Sequence, residues 1–270
     1  MLIKNIQKLV VLLSIFISVL LLAGCGKAKN PDPFESVNRS SYSFNKGADR
    51  LIAKPVARAY ETLIPKVFRY LIGNFFQNLG EIPTVINDVL QGEFSDARRD
   101  SARFILNSTW GVGGLLDVAN AKGKMPVHNQ DFGKTLYVWG YKESAYFVIP
   151  VFGPSTVRDA IGRGVGIFMN ICTYMDSSAY RDGLYTLSLV NMRANFLKIE
   201  PLIGEAVDEY LFVRNAYLQN RQYALENEAR KAESQATEPS TETKEGKSST
   251  KAETAVTSKT TTGELPGPPE

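Results

Sequence analysis

One histidine, His128, is available in 270 residues, so any Ser-His-Asp hydrolase in this chain would have to be built on it. It lies in a polar stretch, MPVHNQD, and is expected to be a surface or loop residue. The turn Gly153-Pro154-Ser155-Thr156-Val157 lacks the final glycine of a nucleophile elbow. A multi-histidine zinc site is out of reach and no Cys-x-x-Cys occurs. The run Gly162-Arg163-Gly164-Val165-Gly166 lacks the spacing of a dinucleotide fingerprint and reads as a packing or flexible feature, and no P-loop is found. Four carboxylates, Asp88, Asp117, Asp131 and Asp159, fall near apolar or glycine-rich segments. Two of them meeting in space would make a general acid/base pair. The alternative is that they cap helices or pair with arginines such as Arg103 and Arg158. The sequence therefore assigns no catalytic residue, no cofactor and no metal.

The chemistry that the sequence does specify is acylation. Lys4 and Lys8 precede an apolar run from Leu9 to Leu22 that ends in Leu22-Ala23-Gly24-Cys25. About 14 positions suit a signal h-region and fall short of the roughly 20 needed to span a bilayer. Small residues in register before a cysteine form a bacterial lipobox, so residues 1–24 read as a lipoprotein signal peptide, Cys25 as the lipid anchor and 25–31 as a lipidated linker. Each buried CH₂ of an acyl chain contributes about 0.8 kcal/mol, and a triacylated cysteine clears the threshold for stable attachment. Gly26, rather than Asp, follows Cys25, which favours the outer membrane. The other cysteine, Cys172, then has no intrachain partner and is expected to be a small buried apolar residue.

The elements between the ends are mostly helical. Asp32-Pro33-Phe34-Glu35 offers an N-cap, a first-turn proline and an acidic capping position. Phe34, Val37, Ser41, Phe44, Ala48 and Leu51 recur on one helical face, and Pro55 marks a break or kink. Further helices are expected over 65–78 (Val67, Leu71, Phe75 and Leu79 on one side), over 82–91 with Gly92 as C-cap, and from a Ser95 cap to about Asn107. Short strands are possible near 146–151, weakened by Pro150. Residues 201–226 read as one or two more helices with Val207, Leu211, Tyr217 and Leu218 buried. One domain, 32–227, is long enough for a sizeable core. From 228 to 270 the chain is Ser/Thr/Lys/Glu/Pro-rich without an aromatic, and a disordered tail is expected. The formal net charge of +3 is too slight to indicate nucleic acid.

The order of motifs is more specific than any one of them. NPDPFESVNRSSYSFN, KPVARAY, NFFQNLGEIPTVINDVLQG, ARFILNSTWGVGGLLDVA, DFGKTLYVWG, YFVIPVFGPSTVRD and DEYLFVRNAYLQNR run in sequence from Asn30 to Arg221. In this order they resemble the MlaA/VacJ family of lipoproteins. Trp110 and Ile82 are local departures: Trp110 stands where a smaller residue is usual, and Ile82 separates Glu81 from Pro83.

The resemblance implies a predominantly α-helical, single ring-like domain embedded in the inner leaflet of the outer membrane. It implies a non-enzymatic role, the removal of misplaced phospholipid from the outer leaflet through a central amphipathic channel. Implied partners are phospholipid, a trimeric outer-membrane porin and a periplasmic carrier of the MlaC type. By family position, Phe44, Asn45 and Asn107 are candidate channel residues. Gly111, Gly113, Gly114, Leu115 and Leu116 form a candidate flexible hairpin, with tight helix packing as the alternative for its glycines. A structural lipoprotein that scaffolds a porin or envelope complex is the alternative function.

Overall fold

The computed structural model describes residues 32–237, with side chains through residue 231. The expected signal peptide, Cys25, the linker and the end of the tail lie outside these residues. Helix α1 (Glu35–Ala48) passes through a π-helical turn, Asp49–Ala53, into α2 (Lys54–Leu63). The widened turn comes just before Pro55, which lacks the N–H that a continuous ladder would need. Asp32 is not the cap of α1. The residue before the helix is Phe34, with no side-chain cap, and buried Asp32 instead accepts from Asn38 Nδ2 at 2.7 Å, from Arg214 Nη1 at 3.1 Å and from the Tyr210 hydroxyl. An aspartate that meets three donors from other elements is better satisfied there than by one backbone amide.

The two helices expected over 65–91 are one, α3 (Lys66–Gln91), which continues through Pro83. A single lost ladder bond is tolerated in 26 residues, and the side chains of Thr84 and Asn87 bond back to Gly80 O and Pro83 O. Gly92 ends α3 at φ 81°, the left-handed conformation expected of a glycine C-cap. The chain then reverses into α4 (Phe94–Thr109), which packs back along α3. Ser95 does not cap α4, because the helix already includes it. Short α5 (Val118–Ala121) and α6 (Phe132–Val138) follow.

A hairpin of β1 (Tyr146–Ile149) and β2 (Gly153–Thr156) pairs Tyr146 with Thr156 and Ile149 with Gly153. Pro150 falls in its turn, just past the paired strand. Thr156 Oγ1 accepts from Asp159 N and caps α7 (Val157–Met169). A 3₁₀ turn, Ile171–Tyr174, holds buried Cys172. It leads to α8 (Ser178–Phe196), short α9 (Glu200–Gly204) and α10 (Glu209–Thr237). The expected tail boundary at 228 falls inside α10. Glu228 is buried and accepts from Gln130 Nε2 at 2.9 Å, because this helix is stabilised by polar partners and needs no aromatic to dock.

The apolar core is small: Tyr146, Val148 and Tyr210, with Tyr42, Leu211, Tyr217 and Leu218 packed against them. It joins the hairpin to α1 and α10. Leu211, Tyr217 and Leu218 thus take the expected places, whereas Val207 is fully exposed.

Candidate functional site

Most of what is buried in this protein is polar. Along α3 the buried residues are Asn74, Asn78, Glu81, Thr84, Asn87 and Asp88, a stripe at helical spacing. Asp100, Arg103 and Asn107 answer it from α4. Arg103 Nε donates to Glu81 Oε1 at 2.9 Å, with both side chains 2% exposed or less. Its remaining donors reach Asp117 Oδ1 and Met125 O. Asn87 Oδ1 accepts from Thr135 Oγ1 at 2.8 Å. Asp117 caps α5 and Asp131 caps α6. Arg221 joins Asp131 to Asp159 through contacts of 2.6–2.7 Å. The capping and pairing alternative therefore holds for these aspartates.

The outside carries much apolar surface beside its charged residues. Large apolar side chains stand exposed on nearly every helix, among them Val37, Phe44, Leu51, Phe68, Phe94, Ile105, Phe168 and Phe196. The face of α1 that carries Phe34, Val37, Phe44 and Leu51 points outward, and so does Val67 on α3, while Leu71, Phe75 and Leu79 are half-buried. Among the described residues no helix is long and apolar enough to cross a membrane.

Two cavities adjoin within this polar interior. The first, 750 Å³, lies between α1, α2, the end of α8, α9 and α10. Its wall is laced with ion pairs: Arg193 with Asp49 at 2.6 Å, Lys54 with Glu200, and Lys46 with Glu209. Tyr42, Phe196, Ile203 and Val213 supply apolar surface between them. Arg58 lines the same space and has no ion-pair partner among the described residues. The second cavity, 680 Å³, lies between α3 and α8 and is lined by Arg69, Asn74, Gln77, Asn191 and Asn195 among others. Glu61 belongs to both walls. Each volume falls within the range of ligand pockets, and each wall combines a larger apolar area with a few charged and amide groups.

Asn45 lines the first cavity and bonds to the hairpin turn, donating to Ile149 O at 2.9 Å and accepting from Val151 N at 2.6 Å. Its neighbour Phe44 is turned outward. Asn107 lines neither cavity. It is buried, donates to Asp117 Oδ1 at 3.0 Å and accepts from Ala119 N at 2.9 Å, tying α4 to α5. The glycine segment is packed onto α3. A side chain at Gly114 (φ 90°) would meet Asn78 at 2.6 Å, and one at Gly111 would meet Asn107 O at 2.3 Å. Leu115 O accepts from Asn74 Nδ2 at 3.0 Å. Gly113 (φ 68°) and Leu116 are exposed at its outer edge. Close packing thus accounts for Gly111 and Gly114. Gly162 plays the same part between α7 and α6, where an added Cβ would lie 2.5 Å from Gly133 N.

The sequence reading missed the cavity wall. Lys54, Arg58 and Glu61 are spaced four and three apart in KPVARAYE, and that charge spacing on one helical face was the available signal. His128 is on a loop, as the sequence allows, but its side chain is turned inward and only 14% exposed. His128 Nδ1 lies 2.8 Å from Asp100 Oδ2 and 3.7 Å from Asp88 Oδ1. On the other ring edge are Lys231 Nζ at 3.1 Å and Gln130 Nε2 at 3.2 Å. Apart from Gln130, these partners come from α3, α4 and α10, too far along the chain for the local sequence to reveal.

These features define a predominantly helical domain whose buried residues are largely polar, with two clefts and many exposed apolar side chains. Residues 30–224 match the protein family described as MlaA lipoprotein, and the chain belongs to that family. The intermembrane phospholipid transport system lipoprotein MlaA of Escherichia coli (strain K12) is 32% identical over 211 residues, 75% of this chain and 84% of the relative. Its namesake in Haemophilus influenzae is 29% identical over 222 residues, 78% of this chain and 89% of the relative. A solved structure described as "Structural basis for maintenance of bacterial outer membrane lipid asymmetry" superposes with a TM-score of 0.64 at 31% identity, covering 72% of this chain and 98% of that one.

Proposed function

We propose that this lipoprotein, acylated at Cys25, lies in the periplasmic leaflet of the outer membrane as a ring of helices. It passes misplaced phospholipid from the outer leaflet through its polar interior. The observation that carries this reading is the partition of side chains: carboxylates, amides and arginines make up most of what is buried among the described residues, while many large apolar side chains stand exposed. Water as solvent selects the opposite arrangement, whereas acyl chains accept an apolar belt without penalty. A phospholipid has a charged head that the ion-pair-lined cavities would solvate. No covalent bond changes, so a side-chain inventory without a catalytic set is sufficient. Two protein partners belong to the proposal, a trimeric porin that holds the ring in the membrane and a periplasmic carrier of the MlaC type that accepts the lipid. Direction is set by those partners and by the lipid gradient, since a passive opening sets none.

The test is deletion of the gene followed by complementation. Deletion should raise outer-leaflet phospholipid and detergent sensitivity. Wild-type protein should restore both, and Gly73→Trp, which projects bulk into the second cavity, should fail to do so at equal protein level. Full restoration by Gly73→Trp would remove the passage and leave the scaffolding role.

A further inference from the structure

We propose that the two cavities select phospholipids with an anionic headgroup over those with a zwitterionic one, through the cations Arg58, Lys66 and Lys198. The inference rests on the lipid passage proposed above and adds to it a preference set by charge. Together the two walls carry seven Lys or Arg residues against four Asp or Glu. The chain as a whole is nearly balanced, with 31 against 28, so the excess of cations is concentrated where lipid would pass.

The pairing on these walls shows which charges are left over. All four carboxylates are matched. Arg193 pairs with Asp49 at 2.6 Å and reaches Glu200 at 3.5 Å, and Lys54 also pairs with Glu200. Lys46 holds Glu209, and Arg69 holds Glu61 at 2.9 Å. Arg58, Lys66 and Lys198 line the same walls and have no ion-pair partner within 4.0 Å among the described residues. They also fall along one path. Arg58 lies one turn before Glu61 on α2, and Lys66 one turn before Arg69 on α3, so each stands beside a member of the pair that separates the cavities. Lys198 lines the second cavity from just past the end of α8.

A phosphodiester brings one negative charge, which any of the three cations can meet. A zwitterionic head adds an ammonium. That group finds no unpaired carboxylate on either wall and lies beside cations that repel it. An anionic head such as phosphoglycerol adds hydroxyls instead, and Gln77, Ser188 and Asn195 on the second wall offer donors and acceptors for them. The three cations reach solvent, so salt should weaken the preference.

The experiment uses the full-length protein purified in detergent and incubated with mixed micelles. These hold equal amounts of phosphatidylglycerol and phosphatidylethanolamine with the same acyl chains. Lipid that stays with the re-purified protein is counted by mass spectrometry. Lipid also retained by Glu61→Trp/Gly73→Trp, which blocks both cavities, is subtracted as lipid of the outer surface. Wild type should hold phosphatidylglycerol over phosphatidylethanolamine by roughly five- to tenfold at about 50 mM salt, and by less than about twofold at about 500 mM. Arg58→Gln, Lys66→Gln and Lys198→Gln together should bring the low-salt ratio to about one. Arg98→Gln, Lys122→Gln and Lys124→Gln together remove three exposed charges that line neither cavity and should leave the ratio as in wild type. Inorganic phosphate added at constant ionic strength should not change it either, and a ratio abolished by phosphate would make the cations a site for soluble anions and overturn the lipid assignment. A wild-type ratio of about one, with more lipid inside than in the blocked variant, would overturn the preference and leave the passage standing. Equal lipid in wild type and the blocked variant would remove the passage itself, and the preference with it. A preference kept by the cavity triple variant, or lost in the control triple, would place it on the outer surface and overturn the inference equally.

Discussion

Arg69 reaches back from α3 to α2 and donates to Glu61 at 2.9 Å, at the one residue that both cavities share as wall. Arg69 also donates to Ile64 O, so its guanidinium fixes the bend between the two helices and the position of Glu61 together. The partition between the cavities is thus a held side chain.

Substitutions at that partition should act on transport more than on folding. Glu61→Ala removes the partition and should retain or raise lipid passage, while Glu61→Trp should obstruct it and raise outer-leaflet phospholipid towards the deletion level. Arg58→Glu should also impair passage, since it replaces the first cavity's unpaired cation with a charge that repels a lipid phosphate. Measured phospholipid asymmetry at matched protein level decides each case, and a neutral Glu61→Trp would show that lipid takes another path.

Glu81 and Arg103 are a buried ion pair, and breaking one partner strands the other. Glu81→Gln or Arg103→Met should cost roughly 3–5 kcal/mol. Arg103→Met should be the worse, because Arg103 also serves Asp117 and Met125 O. The double variant Glu81→Leu/Arg103→Met should cost less than the sum of the single changes. Thermal melts arranged as a double-mutant cycle report the coupling directly.

Two adjacent glycines separate backbone strain from packing. Gly113 is left-handed in open space, so Gly113→Ala should cost only about 1 kcal/mol. Gly114 is left-handed and pressed against Asn78, so Gly114→Ala should cost roughly 2–4 kcal/mol. Equal melting temperatures for the two variants would contradict the packed position of this segment.

Acid should loosen the junction of α6, α7 and α10. Desolvation raises the Asp131 carboxyl, but the Arg221 hydrogen bond and charge, with the Lys134 amide and ammonium, together outweigh that and hold it below its ordinary value. A carboxylate whose folded pKa is depressed contributes stability above its unfolded pKa of about 3.9, and loses it as pH falls through the lower folded value. Arg221→Gln should therefore melt below wild type at neutral pH, with the gap closing below about pH 4. A gap independent of pH would locate the loss elsewhere than in this pair.

With the exposed apolar side chains seated in the leaflet as proposed, Cys25→Ser exported behind a cleavable signal should remain in the membrane fraction. Recovery of that variant as soluble periplasmic protein would leave the acyl chains as the sole anchor.

Helix identity and the Gly92 stop were legible because they depend on local spacing and on one conformation that glycine favours. The side on which each helix faces its neighbours was not. Periodicity places Phe34, Val37, Phe44 and Leu51 on one face, but it is silent on whether that face meets protein or another apolar medium. Here it points outward, and the polar stripe from Asn74 to Asp88, which reads as a solvated face, is the buried one. Asn45 was singled out through motif order, and it lines the first cavity. Arg58, Glu61 and Arg193 were not, because their cavity exists only when α2, α8 and α9 come together. His128 escaped for the same reason: Asp88, Asp100 and Glu228 meet it across 28 to 100 residues of chain.

The clamp on Asp32 sets the length of a mooring line. Seven peptide units separate Cys25 from Asp32, and a fully stretched chain of that length reaches about 25 Å at most. Asp32 is bound to Tyr210 and Arg214 at the base of α10, so its end of the line is made fast to both the first and the last long helix of the domain. With Cys25 acylated as proposed, neither α1 nor α10 can drift further from the membrane than that line allows, even when the rest of the body tilts or exchanges partners.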